Sequence, residues 1–354
     1  MSDLAPTREP RRLGLWIPFV LIVALIAGWS AYWFYTAHRI DGLITLRQSE
    51  LIKAGYQVSY EPLKVRGYPY RMFAEFKNLT VIAPSGRGFA TPLLNAEANA
   101  YALDKWVMNA PSGLTLYRGH PAGQELGKVV VTGQNLRASV SGLNNPVYNV
   151  ALQGLDLTLT PSDLAHPFAF SAAENFEAYL RPTRDTSKIL VPDSADMLIR
   201  LTGAHGQPGS TVANLSPEKP LSLHVEGTVD HISGFAGKDF GDSLKAWSAG
   251  GGLISGFKSS LKAGDLDLFA SSDDLRLDAS SRLSGHMDVE LSGAFKPMEV
   301  LSAVHLISKE NMTLAAPLLN MTLATQGPQK FPIDFKNGSA YIGALKVSDA
   351  PILP

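Results

Sequence analysis

Hydrophobic and polar positions follow three successive rhythms along this chain. The first is an unbroken apolar run, Leu13 to Ala37 (LGLWIPFVLIVALIAGWSAYWFYTA), with no charged residue in it. At a rise of about 1.5 Å per residue, roughly 20 apolar residues cross a bilayer, so the run predicts a transmembrane helix over 13–37. Its aromatic residues gather at the two ends, Trp16 at one and Trp29, Tyr32, Trp33 and Tyr35 at the other. Amphipathic rings favour the lipid–water boundary, so this is an anchor's profile. In the second rhythm Ile40, Leu43, Ile44, Leu51 and Ile52 recur at helical spacing, and Gly55 stands at the expected stop. The spacing predicts a short amphipathic helix over 38–55 that leads off the membrane.

From Tyr56 onward the period falls from about 3.6 to 2, the spacing of a strand with one face buried. Val58 and Tyr60 alternate with polar residues, Arg66-Gly-Tyr-Pro-Tyr-Arg71 breaks the pattern, and Phe73 to Phe76 resumes it. Further strands are expected at Val129–Val131, at Val150–Leu159 with a slip at Gly154, at Phe168–Phe170, Phe176–Leu180, Leu198–Leu201 and Leu221–Val225. The densest set is Leu266–Leu268, Leu275–Leu277, Leu283 and Met287–Leu291, joined by short polar turns. Asn337-Gly338 between two alternating runs is a hairpin signal, because a tight primed turn requires residues that tolerate positive φ. Two helices interrupt the strands, Asp239–Ala249 with its Gly250-Gly-Gly252 stop and Met298–Ile307, and both are expected to pack on the sheet. Asn311-Met-Thr-Leu-Ala and Asn320-Met-Thr-Leu-Ala form a single internal echo, short of the fixed period of a solenoid.

The predicted fold class is therefore mainly β with a few helices: an N-terminal transmembrane helix followed by an elongated or curved antiparallel meander, greasy on one face and wet on the other. The order is an arm (1–12), the span (13–37), the amphipathic helix (38–55), a first β-rich half (56–207), a turn-rich linker (208–220) and a second β-rich half with capping helices (221–354). Arg8, Arg11 and Arg12 precede the span, whereas His38 and Arg39 are followed at once by Asp41. That imbalance retains the N-terminus in the cytoplasm and places the body beyond the inner membrane, as a single-pass periplasmic protein. A cleaved signal peptide also opens on a basic arm, but its apolar core is usually about 7–15 residues with a small-x-small site after it, and here bulky AYWFY follows. Arg11-Arg12 matches a twin-arginine signal only loosely.

Composition narrows the rest. With 31 Lys+Arg against 32 Asp+Glu and a net charge of -1, no field draws the chain to nucleic acid. The absence of cysteine removes thiol catalysis, thiolate metal sites and disulfides together. No P-loop, Rossmann fingerprint, serine elbow or His-Glu-x-x-His helix is present. His224, Glu226, Asp230 and His231 form the best metal set, yet His231 has the wrong strand parity to join His224 and Glu226, and a solvated polar face explains them better. Asp265, Asp267, Asp273, Asp274, Asp278 and Asp288 alternate with leucines and lack a calcium-hand loop, which makes them the meander's wet edge. No catalytic, cofactor-binding or metal-binding residue is therefore expected, and no enzyme activity.

The anchor, the following helix, the Arg66–Arg71 turn, the Leu244-Lys-Ala-Trp247 helix and the closing Phe335–Gly343 run together resemble the domain of unknown function 2125 family of single-span bacterial envelope proteins, similar in pattern to AsmA-like proteins. The resemblance implies an elongated β body concerned with lipid and envelope homeostasis, in which larger AsmA-like relatives present apolar grooves to acyl chains. It offers no catalytic residues. The expected partners are the lipid bilayer and either a lipid or other amphiphile in an apolar β groove or, as the alternative, another envelope protein bound through sheet edges.

Overall fold

The structure is a computed structural model that describes residues 13–352 apart from 121–122, 124, 217–218, 238 and 294–328. It opens on α1 (Leu13–Lys53), a single helix of 41 residues. The apolar run, long enough to span a membrane, and the amphipathic segment are thus one continuous rod, because nothing between Ala37 and His38 interrupts the backbone hydrogen bonds. The expected helix at Met298–Ile307 and the two Asn-Met-Thr-Leu-Ala segments lie outside the described residues.

Among the described residues the body is a meander of seventeen strands: β1 (Gln57–Ser59), β2 (Arg71–Ile82), β3 (Arg87–Asn99), β4 (Ala102–Asn109), β5 (Leu114–Arg118), β6 (Lys128–Ser141), β7 (Asn149–Pro161), β8 (Phe170–Arg184), β9 (Leu190–Gly206), β10 (Leu221–Asp230), β11 (Leu253–Ala263), β12 (Leu266–Ser272), β13 (Arg276–Leu277), β14 (Leu283–Gly293), β15 (Gln329–Lys336), β16 (Ser339–Ile342) and β17 (Leu345–Asp349). Each pairs antiparallel with a near neighbour in sequence, β4 and β5 sharing the gap between β3 and β6. The segment 208–220 carries a short helix, α2 (Thr211–Leu215), and β9 and β10 on either side of it pair from Ser194↔Asp230 to Ala204↔Leu221. The two β-rich halves are stretches of one sheet.

Local chemistry accounts for the sharpest features. Asn337 and Gly338 both take positive φ, and Lys336 pairs with Ser339 across them, the geometry of a two-residue primed turn. The register slip in β7 falls at Asp156, which has φ 48°, where Thr132↔Thr158 gives way to Gln134↔Leu155. Gly154 lies in the second β6–β7 irregularity, between Gln134↔Leu155 and Arg137↔Gln153, while it stays in register with Phe176 of β8, so the slip expected at Gly154 extends over Gly154 to Asp156. Asp tolerates the left-handed region through its short polar side chain, which lets it host the bulge.

The aromatic end of α1 docks on the body. Trp33 is 4% exposed and packs with Ala37, Val65, Met72 and Ala100. Its indole N–H donates to the Arg71 carbonyl at 3.0 Å, Trp29 donates to the Pro69 carbonyl at 2.9 Å, and the Tyr32 hydroxyl donates to the Ala100 carbonyl at 3.1 Å. Tyr68 stacks on Phe34 and meets Trp33 edge-on, both at 5.6 Å. The Arg66–Arg71 turn is therefore the socket for the helix. Farther along, the Val65 amide donates to Asp41, and the chain returns to pair β1 with the far end of β2.

The helix α3 (Phe240–Ala249) forms as its sequence predicts. Asp239 caps it by accepting from the Asp242 amide at 2.9 Å. Its buried face presents Leu244 and Trp247 to Val229 and Leu277. Trp247 is 1% exposed, donates to the Asp230 carbonyl at 2.7 Å and stacks on Phe235. A Cβ on Gly252 would lie 2.2 Å from that indole. Trp247→Ala should cost about 3–5 kcal/mol of stability, and Gly252→Ala should destabilise in the same direction by driving the ring out of its seat. Denaturant unfolding of both variants followed by circular dichroism checks this; an unchanged midpoint for either would show that α3 is dispensable to the sheet.

Candidate functional site

Successive pairings place side chains in rows that cross the sheet. One row on the apolar face runs Trp106–Val140–Val150–Leu180–Met197, from β4 to β9. A second, parallel to it, runs Ala74–Ala96–Met108–Ala138–Leu152–Ala178–Ile199–Val225 and continues through Ser259, Ala270 and Val289 to Phe331. Only Ser259 is polar in that line of twelve strands' worth of alternation.

Coverage along these rows is uneven. At the β12–β15 end Ala270, Val289 and Phe331 are 5%, 1% and 3% exposed and belong to the main core, where Leu268, Leu291, Ile333 and Phe335 join them. At the other end Trp106 packs beside Trp33 in the socket of α1. Between them Val140, Val150, Ala178, Leu180 and Ile199 are only half-buried, and Leu152 is 42% exposed. Among the described residues, α2 packs through Val212 and Leu215 on the main core and α3 covers Val229 and Leu277, so neither helix roofs this stretch. The result is a strip of apolar side chains that starts beside α1 and ends in the dry core. With strands about 4.8 Å apart, the Trp106-to-Met197 row is about 19 Å long.

The opposite face carries the charges. Its corresponding row is Asn95–Asn109–Arg137–Gln153–Glu177–Arg200–His224–Ser260–Phe269–Glu290–Lys330. The groups pair locally: Arg181 with Asp196 at 3.3 Å, Arg200 with Glu177 at 3.6 Å, Lys258 with Glu226 at 3.8 Å, and Lys330 with Glu290 at 3.1 Å. Such exposed pairs contribute about 0–1 kcal/mol each. A shallow cleft of about 620 Å³ lies on this face, edged by Asn149, Tyr179, Arg181, Asp196, Glu226 and Thr228. Its lining mixes these polar groups with Ala151 and Leu198.

The residues weighed as a metal set do not converge. His224 meets Glu226 at 3.3 Å on the wet face, whereas Asp230 accepts from Ser194 and Ser255 at the strand end, and His231 leaves β10 in a left-handed conformation to open a separate turn. Among the described residues no three metal-ligating side chains gather. The aspartates are turn and surface groups: Asp265 pairs with Lys219, Asp278 accepts the Ser280 and Arg282 amides, and Asp274 accepts the His286 amide. The half-covered strip was missing from the sequence reading because it depends on which strands pair, and periodicity within one strand carries no trace of its neighbours' register.

A family model, the uncharacterized protein conserved in bacteria DUF2125, matches residues 33–351. The chain belongs to this family. The DUF2125 match begins at Trp33, inside α1 and at the residue most deeply seated in the socket. No curated protein matches the chain. No solved structure matches it either.

One titratable group on the wet face is perturbed in a way that makes a test. His286 lies between Asp334 at 2.8 Å and Asp288 at 3.4 Å. The hydrogen bond with Asp334 is the main cause that holds its pKa above the usual 6.5, with Asp288 adding to it against some desolvation. The folded state therefore binds this proton more tightly than the unfolded chain does. Its stabilising contribution is complete below the ordinary histidine value and is lost as the pH rises through the folded-state value. With 46% of the side chain exposed, solvent screening keeps the slope shallow. His286→Gln should flatten the dependence of the thermal midpoint on pH above about 6.5, and Asp334→Asn should return the imidazole toward its ordinary titration in NMR; an unchanged His286 titration in Asp334→Asn would remove Asp334 as the cause.

Proposed function

We propose that this DUF2125 chain is a non-enzymatic, permanently anchored envelope protein that accommodates an acyl chain or similar amphiphile along the apolar strip of its sheet. The observation that carries the reading is the Trp106–Val140–Val150–Leu180–Met197 row, half-covered and contiguous with the docked membrane helix. Its length of about 19 Å compares with the roughly 15 Å depth of one leaflet's hydrocarbon, half of a bilayer core. Each methylene withdrawn from water on such a surface contributes about 0.8 kcal/mol. The resemblance to AsmA-like proteins points to the same ligand class, and the locally paired charges of the wet face offer no convergent acid, base or nucleophile.

Retention of the anchor follows from the socket. Removal of residues up to Ala37 would take away Trp29, Tyr32 and Trp33, strip three hydrogen-bond donors from backbone carbonyls, and bare Val65, Met72 and Ala100. The basic arm before the span favours a cytoplasmic N-terminus, which sets the body on the periplasmic side of the inner membrane. Intact-mass measurement of protein extracted from membranes is expected to return a chain that includes Leu13; a mature N-terminus between Ala37 and Tyr56 would overturn the anchor.

The ligand reading has its own test. Full-length protein, delipidated in detergent, should take up a fluorescent phospholipid, and protein purified gently should carry lipid detectable by mass spectrometry. Replacing Leu152 and Ile199 together by serine should weaken uptake by about tenfold or more, since each buried aliphatic side chain is worth about 1.5–3 kcal/mol and 1.4 kcal/mol is a factor of ten. Absence of both uptake and bound lipid would sink the proposal, and a stoichiometric protein partner recovered by crosslinking in cells would then favour the scaffold alternative.

A further inference from the structure

The uncovered part of α1 is too short to cross a bilayer by itself. From Leu13, which follows Arg11 and Arg12, to Gly28 the helix rises about 24 Å, against a hydrocarbon thickness of about 30 Å. From Trp29 onward it is already seated in the body. The remaining roughly 6 Å of span, about four residues, must therefore come from the docked stretch Trp29 to Tyr32. The loops that hold this stretch then lie at the lipid boundary, not above it.

Those loops are dressed for that place. Tyr70 and Tyr101 are 70% and 71% exposed, and Tyr68 is 46% exposed, although each flanks a carbonyl that accepts from α1. Ser141 is paired with Lys105, which puts the neighbouring β6–β7 turn at the same end of the sheet, and that turn exposes Leu143 and Tyr148. At the opposite end the β2–β3 turn is Pro84-Ser85-Gly86. Tyrosine is favoured at the boundary because its ring enters the apolar side while its hydroxyl stays hydrated. Lys105 at the same end offers positive charge to lipid phosphates, whereas Arg71 there is paired with Glu97 at 2.7 Å.

We infer that the body has a second membrane contact, a foot of exposed tyrosines at the Arg66–Arg71 turn and the β3–β4 turn that enters the headgroup region of the leaflet where α1 emerges. The inference rests on α1 being a retained anchor. It sets the Trp106 end of the apolar strip at the bilayer surface, where an acyl chain would enter.

The cysteine-free chain permits a direct test. Single nitroxide labels at Tyr70→Cys, Tyr101→Cys, Leu21→Cys in the span and Pro84→Cys at the far turn would be placed in full-length protein in vesicles of phosphatidylethanolamine and phosphatidylglycerol. Relative accessibility to oxygen and to a water-soluble nickel chelate reads depth. The expected result is that Tyr70 and Tyr101 fall between Leu21 and Pro84. Tyr70 and Tyr101 as water-exposed as Pro84, with Leu21 still deep, would overturn the foot while the anchor stands. An aqueous reading at Leu21 would instead remove the anchor. Shielding of both tyrosine sites from both reagents, in detergent as in vesicles, would mean that protein covers them and would also overturn the foot.

Discussion

Two indole N–H groups and one phenol, directed from α1 into backbone carbonyls of two loops, decide how everything else is placed. Pro69, Arg71 and Ala100 supply those carbonyls, and all three belong to the ends of β2 and β3 or the turns beside them. Each bond joins a residue of the apolar rod to the sheet at a distance of 38 to 68 residues in sequence. A buried indole N–H without an acceptor costs about 1–3 kcal/mol, so the rod and the loops hold one another in a single register. Farther up, Val65 donating to Asp41 and the pairing of β1 with the end of β2 keep the helix beside the first strands. The sheet consequently extends beside the helix from this socket.

The apolar strip survives across so many strands because irregularities are confined. A shift of one residue in a strand would carry its whole apolar set to the wet face. Between β6 and β7 two such shifts occur, at Thr132/Gln134 and Gln134/Arg137, and they return the strands to a common parity before the row at Ala138 and Leu152 begins. The positive φ of Asn135 and Asp156 absorbs the extra residues there. On the other face the same register lines up Glu177 with Arg200 and Glu226 with Lys258, so opposite charges meet across these strands.

What was legible in the sequence was what is local. Asn337-Gly338 announces its turn because positive φ at two adjacent residues selects those two side chains, and Asp239 with the Gly250–Gly252 stop delimits α3 for equally local reasons. The alternation BeBeBiB of β12 is visible in Leu266-Asp-Leu-Phe-Ala-Ser-Ser directly. Trp29, Tyr32 and Trp33 were read as a boundary belt, and their seat in the Arg66–Arg71 turn went unseen. A ring that wants an apolar surround and one polar acceptor is served equally by headgroups and by loop carbonyls, so composition could not separate the two. The strip was illegible for a related reason: Leu152 and Ile199 look like any inward strand residues until the pairing Leu152–Ala178–Ile199 is known and their coverage is compared with that of Val289.

The uneven coverage of the apolar rows is itself an argument about use. A soluble sheet that could close its core along the whole row would gain about 1.5–3 kcal/mol for each aliphatic side chain taken fully out of water. This one does so at Ala270, Val289 and Phe331 and stops short at Leu152, Leu180 and Ile199, although the row is continuous. In open solution such a stretch would be a liability for association. In the proposed arrangement beside a bilayer the balance would change, because an anchor would hold the strip's Trp106 end next to a reservoir of amphiphiles, and an acyl chain laid along the row would close the same surface that another layer of protein would otherwise have to cover.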